Sequence, residues 1–101
     1  MFSKREIRLF QNDNYAIIRM EDNFIEFESK KTKQCWIVLK RAAIDGKPVR
    51  LFHKHARKEN WYHLHWETYN VTLAARSIED HEAYVIEHPD YLEKKRRERY
   101  A

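Results

Sequence analysis

Near Asn70 the hydrophobic period of this chain changes, and that change decides what it can fold into. Before Asn70, apolar side chains alternate with polar ones or gather in short runs closed by polar turns. After it, Ala74, Ile78, His81, Val85, His88 and Leu92 recur at intervals of four and three, which is one stripe along a helix. Short connections make each strand the antiparallel neighbour of the one before. The expected fold class is therefore α+β: an antiparallel meander of about six strands forming a curved sheet or partial barrel, followed by one or two C-terminal helices. A chain of 101 residues makes a single domain with one modest core, the meander occupying 1–69 and the helical segment 70–101.

Turn residues divide the meander. Ile7 to Phe10 reads as a first strand ended by Asn12-Asp13-Asn14, and Tyr15 to Met20 as a second, rich in β-branched residues. Asp22-Asn23 precedes a third strand from Phe24 to Glu28. After the polar break Lys30-Lys31-Thr32-Lys33, the most apolar strand runs from Gln34 to Arg41 and takes a central place. Asp45-Gly46 carries the only glycine and is the clearest hairpin signal, with Pro48 at the edge of the next strand. Val49 to Ala56 and Trp61 to Tyr69 complete the set. Asn70 or Thr72 caps a helix over about Thr72 to Glu87. Pro89 cannot continue that helix but suits the first turn of a second, Tyr91 to Tyr100. The expected core is Trp36, Ile37, Val38, Leu39, Phe52, Leu64, Trp66, Ile78 and Val85.

Two histidine pairs, His53-Lys54-His55 and His63-Leu64-His65, flank the break Lys58-Glu59-Asn60. With a three-residue hairpin loop and Asn60 in the left-handed region, Arg57 pairs with Trp61, His55 with His63 and His53 with His65. Directly opposed side chains then have Cβ atoms ~5 Å apart, so four imidazoles share one sheet face. Leu51 and Glu67 fall on that face too, while Phe52, Leu64 and Trp66 fall on the other, which reads as core. A four-residue loop instead sets His53 against Leu64 and disperses the cluster, because a slip of one residue exchanges faces.

Clustered imidazoles suit zinc, nickel or copper, with Glu67 as an oxygen ligand or as the partner that orients a ligand. The spacing matches no specific zinc signature: there is no Cys-x-x-Cys and no His-Glu-x-x-His. The plain alternative is a cross-strand histidine ladder beside Trp36 and Trp61. His81 and His88 lie on the helix stripe, where they could approach the hairpin and complete a site at the sheet–helix junction, but they read rather as packed helix histidines that bond one nitrogen to backbone or carboxylate. Opposed histidines also serve general acid–base chemistry, but Arg50 and Lys54 point away from them in this register, and the chain has no Gly-x-Ser-x-Gly element.

Charge supplies the other candidate surface. Charged residues make up 36% of the chain with a net charge of +4, so a folded domain with a heavily solvated surface is expected. Arg57, Trp61, Lys94, Lys95, Arg96 and Arg97 are the candidate macromolecule-binding residues, since aromatic platforms with cations bind single-stranded nucleic acid. Lone Cys35 fits a buried small side chain in a reducing compartment. The N-terminal residues lack a signal-peptide pattern and no run approaches transmembrane length, so a cytoplasmic protein without membrane contact is expected. The leading expectation is a small, non-enzymatic binding or regulatory protein engaging an acidic protein surface or nucleic acid, with no required cofactor. The alternative is a histidine-centred protein of zinc or another transition metal, or a metal-dependent hydrolase or nuclease.

Overall fold

The first element overturns the expected strand at Ile7 to Phe10. Lys4–Arg8 is a helix, α1, opened by a reciprocal cap: Ser3 Oγ accepts from the Glu6 amide and the Glu6 carboxylate accepts from the Ser3 amide. This Ser-x-x-Glu capping box satisfies two amide donors that a helix start leaves open. It wins over the local alternation, and Phe10 then enters the core fully buried. The coordinates, a computed structural model, describe residues 1–42 and 46–100, the side chains of Arg96, Arg99 and Tyr100 excepted.

Five strands follow, not six: β1 (Tyr15–Met20), β2 (Phe24–Ser29), β3 (Cys35–Lys40), β4 (Val49–Lys54) and β5 (His63–Thr68). They form one antiparallel sheet in the order β1-β2-β3-β4-β5, which is open and not closed into a barrel. Two helices end the chain, α2 (Val71–Glu87) and α3 (Pro89–Tyr100). Asn70 caps α2, its side-chain oxygen accepting from the Leu73 amide at 2.8 Å. The helix thus begins one residue before the expected Thr72. Of the Asp45-Gly46 turn, Asp45 lies outside the described residues, while Gly46 has a φ of +79°, which glycine adopts freely.

One sheet face carries the core. Ile25, Phe27, Trp36, Val38, Val49 and Leu51 are buried there against Phe2, Phe10, Val71, Ala74 and Ile78. Each large apolar side chain so buried contributes ~1.5–3 kcal/mol. Lys40 Nζ reaches the Glu6 carboxylate at 2.8 Å and ties α1 down. A buried polar tie fixes α2: the Glu82 carboxylate accepts from Thr32 Oγ1 at 2.7 Å and from Gln34 Nε2 at 2.8 Å. No helix among the described residues covers the opposite face. Ile37, Leu39 and Phe52 are only half-buried there and Leu64 is 48% exposed, while Trp66, registered with Leu51 beyond the strand irregularity, is 45% exposed. The expected core was therefore right for Trp36, Val38, Ile78 and Val85 and wrong for Leu64 and Trp66. The histidine face of the hairpin is the one turned inward.

Candidate metal centre

The hairpin that carries the four histidines differs in register from the expected one. His53 pairs with His63 and Phe52 with Leu64, then Leu51 pairs with Trp66, leaving His65 as the extra residue of a bulge. The connection runs through residues 55–62 and does not use Asn60 in the left-handed region. Among the described residues other than glycine, only Lys33 has a positive φ. Glu59 organises the turn instead: its carboxylate accepts the His55 amide at 2.6 Å and lies 3.6 Å from His55 Nδ1. Lys54 Nζ holds the same loop from outside, donating to the carbonyls of Arg57 and Glu59 at 3.0 Å. A buried carboxylate bound to backbone thus displaces the simple turn that composition suggested.

The bulge also moves Glu67. One extra residue in β5 turns every later side chain to the other face. Glu67 therefore leaves the histidine side and pairs with Arg50 at 3.4 Å, while Thr68 turns inward and is buried. Glu67 is not close to the imidazoles, and the expectation that it ligates or orients with them is withdrawn.

The fold gathers the four hairpin histidines and adds a fifth from the helix. His53 sits at the middle, with ring centroids of His63 at 4.4 Å, His65 at 4.8 Å, His55 at 5.0 Å and His81 at 5.3 Å. His81 comes from α2, whose buried stripe faces this part of the sheet. Trp36 floors the cluster, stacked on His53 at 4.9 Å and edge-on to His65 and His81. His81 packs its ring as expected, edge-on to Trp36, and the inward turn of the hairpin face sets it among the other histidines as well. Once the histidines face inward, its place on the stripe is the signal that puts it among them. His88 keeps the plain role, stacking on Tyr84 at 4.1 Å with Nδ1 2.8 Å from the Tyr84 carbonyl.

Burial sets the protonation of the ring at the centre. His53 is 4% exposed, and neither of its ring nitrogens has a hydrogen-bond partner. Desolvation, aided by the neighbouring histidines, pushes its pKa down to about 2. The same causes push His81 down to about 4 and lower that of His65. These rings are neutral at physiological pH, the form in which imidazole offers a lone pair to a metal. Two groups of three have candidate ligand atoms within 4.8 Å of one another: His53, His65 and His81, and His53, His55 and His63. The second group lines a pocket of about 340 Å³ whose far wall is Tyr91, Lys95 and Glu98 of α3. The first joins the hairpin to α2 through His81, and its members His65 and His81 are half-buried.

The expected macromolecule-binding residues are scattered. Arg57 is exposed on the hairpin connection and Trp61 next to it is 78% exposed. Lys94 and Arg97 are exposed on α3, Lys95 lines the histidine pocket, and the Arg96 side chain lies outside the described residues. Lys95 and Arg97 each have an acidic neighbour along the helix, Glu98 at 3.8 Å and Glu93 at 3.7 Å. No helix among the described residues is long and apolar enough to cross a membrane. No protein-family model matches the chain, and no curated protein or solved structure is similar to it.

Proposed function

We propose that this protein binds a divalent transition-metal ion, zinc foremost, through the histidine cluster centred on His53. One observation carries the reading: a buried imidazole with both nitrogens unpartnered is surrounded by four further imidazoles within 5.3 Å. A histidine retained for packing alone normally finds a partner for each buried nitrogen, because leaving one unbonded costs ~1–3 kcal/mol. An ion removes that cost by taking a lone pair. Zinc accepts three or four imidazole nitrogens at about 2.0–2.1 Å and needs no thiolate. Nitrogens bound to one tetrahedral ion lie about 3.4 Å apart, so modest ring rotations from the present spacing are enough. Glu59, beside His55, is placed to hold that ring's orientation, as carboxylates commonly do for metal-bound histidines. The unpaired, buried Cys35 fits a reducing, cytoplasmic setting, where zinc is stable to redox change.

The test is elemental analysis of untagged protein after dialysis, followed by calorimetric titration of the apo form with zinc. Stoichiometric, chelator-reversible binding that disappears in His53→Leu supports the reading. A folded apo protein that takes up no zinc, copper or nickel overturns it.

A second reading has its own observation. The uncovered sheet face forms a cleft of about 480 Å³ lined by Phe24, Ile37, Leu39, Phe52 and the Trp61-Tyr62 loop. A macromolecular partner, an acidic protein surface or nucleic acid, would engage this face. Steep loss of affinity with salt identifies the nucleic-acid case, because phosphate binding releases counterions. A shallower salt dependence identifies a protein partner held mainly by apolar contacts, and no binding to either removes this reading.

A further inference from the structure

The two groups of three share one residue, and that residue is His53. His55 and His63 form one pair beside it, 5.5 Å apart between ring centroids; His65 and His81 form the other, 4.9 Å apart. A single ion reaches only one nitrogen of a given imidazole, since the lone-pair directions of Nδ1 and Nε2 diverge. One ion would therefore leave the other buried nitrogen of His53 without a partner.

Resting on the metal-binding reading above, we infer that the site holds two metal ions, with His53 bridging them through its two ring nitrogens. One ion takes His53, His55 and His63, and the other takes His53, His65 and His81. When the second ion binds, the N–H bond of the neutral His53 ring is replaced by an N–metal bond. The released proton passes to solvent, leaving His53 as a bridging imidazolate. No redox change accompanies the step.

Charge balance gives an independent reason. Two dications and one imidazolate place a net positive charge in a buried region, which demands nearby anions. Each wing has a buried carboxylate in place. Glu59 lies 3.6 Å from His55 Nδ1. Glu82 reaches the other wing through Gln34, whose Nε2 lies 2.8 Å from the Glu82 carboxylate and 3.5 Å from His81 Nδ1. Glu82 Oε1 has no hydrogen-bond partner, and none of the described ion pairs gives Glu82 a Lys or Arg. A buried carboxylate without a cation is costly, and an ion at His81 supplies the missing charge.

The wings differ in access. The group of His53, His55 and His63 faces the 340 Å³ pocket, so its ion can keep a water or other small ligand and can exchange. His65 and His81 do not line that pocket.

Titration of the full apo chain with copper(II) alone tests the inference, read by bound stoichiometry and by electron paramagnetic resonance. Two ions per chain are expected. The signal should grow through the first equivalent and fall during the second, as the two spins couple through the imidazolate. His55→Ala and His81→Ala should each bind one ion and give an uncoupled signal throughout. His53→Leu, with its fold checked by circular dichroism, should abolish the coupling. Binding of one ion per chain overturns the two-ion site but leaves the metal-binding reading intact. Two ions with a signal that keeps growing overturn the bridge. No bound copper, nickel or zinc overturns both.

Discussion

His53→Leu should make the metal-free protein more stable while removing its capacity for metal. The ring is buried against Trp36 with two unpartnered nitrogens, and each such group costs ~1–3 kcal/mol relative to an apolar replacement of similar size. Against this, the substitution loses an aromatic stacking contact worth ~0.5–1.5 kcal/mol. The net expectation is a gain of ~0.5–5.5 kcal/mol at pH 7, two unpartnered nitrogens less the lost stacking. Acid should enlarge it. The folded-state pKa of His53 lies at about 2, far below its ordinary 6.5, so the unfolded chain takes up the proton first. Stability is then complete above about pH 6.5 and is lost as pH falls from there toward 2. Between about pH 7 and pH 5 this one group withdraws about 2 kcal/mol from the wild type and nothing from the leucine variant. Urea titrations of both proteins with a chelator present, followed by tryptophan fluorescence, give midpoints and slopes at each pH. A variant less stable than wild type at pH 7, or a gap that fails to widen at pH 5, would refute the claim that this ring is neutral and unsatisfied.

Trp36→Ala, in a fully buried site, should cost ~3–5 kcal/mol. By contrast, Trp66→Ala, at a ring 45% exposed, should cost well under half of that, and thermal melts of the two variants give the comparison directly. Glu82→Ala should destabilise by ~1–3 kcal/mol, because Thr32 and Gln34 lose a shared acceptor; equal denaturation midpoints for variant and wild type would contradict it. Zinc at one hundred times its dissociation constant should add about 2.7 kcal/mol per independent site, reversed by chelator and visible as a rise in melting temperature.

The parts of the fold that were legible are those where one local signal acts alone. The switch of period at Asn70, the apolar run around Trp36 and the turns at Asp22-Asn23 and Lys30–Lys33 placed β1 to β3 and α2 within a residue or two. Misreadings came where two local signals competed. Ile7 to Phe10 alternates like a strand, yet Ser3 and Glu6 supply a helix cap, and the cap prevailed. In the hairpin, both faces carry aromatic rings, so hydrophobicity did not say which face α2 covers. Trp66 and Leu64 outweigh histidine on any apolarity scale, but Val49, Leu51 and Trp36 lie on the histidine side and decide it. The four hairpin histidines were foreseen as a group. The bulge at His65, the exit of Glu67 and the arrival of His81 depend on tertiary packing that no short window contains.

The Glu82 tie also bears on the order in which the molecule assembles. Every strand pairs with its sequence neighbour, so the sheet grows by closing short loops, a topology associated with rapid folding. Glu82 meets Thr32 and Gln34 across separations of 50 and 48 residues, far longer than any hairpin. Such a contact forms after the loops it spans have closed. Interactions made late weigh on the unfolding rate more than on the folding rate. Glu82 thus acts as a latch: it closes α2 over a sheet already built, and its strength sets how long His81 stays beside His53 once the helix has docked.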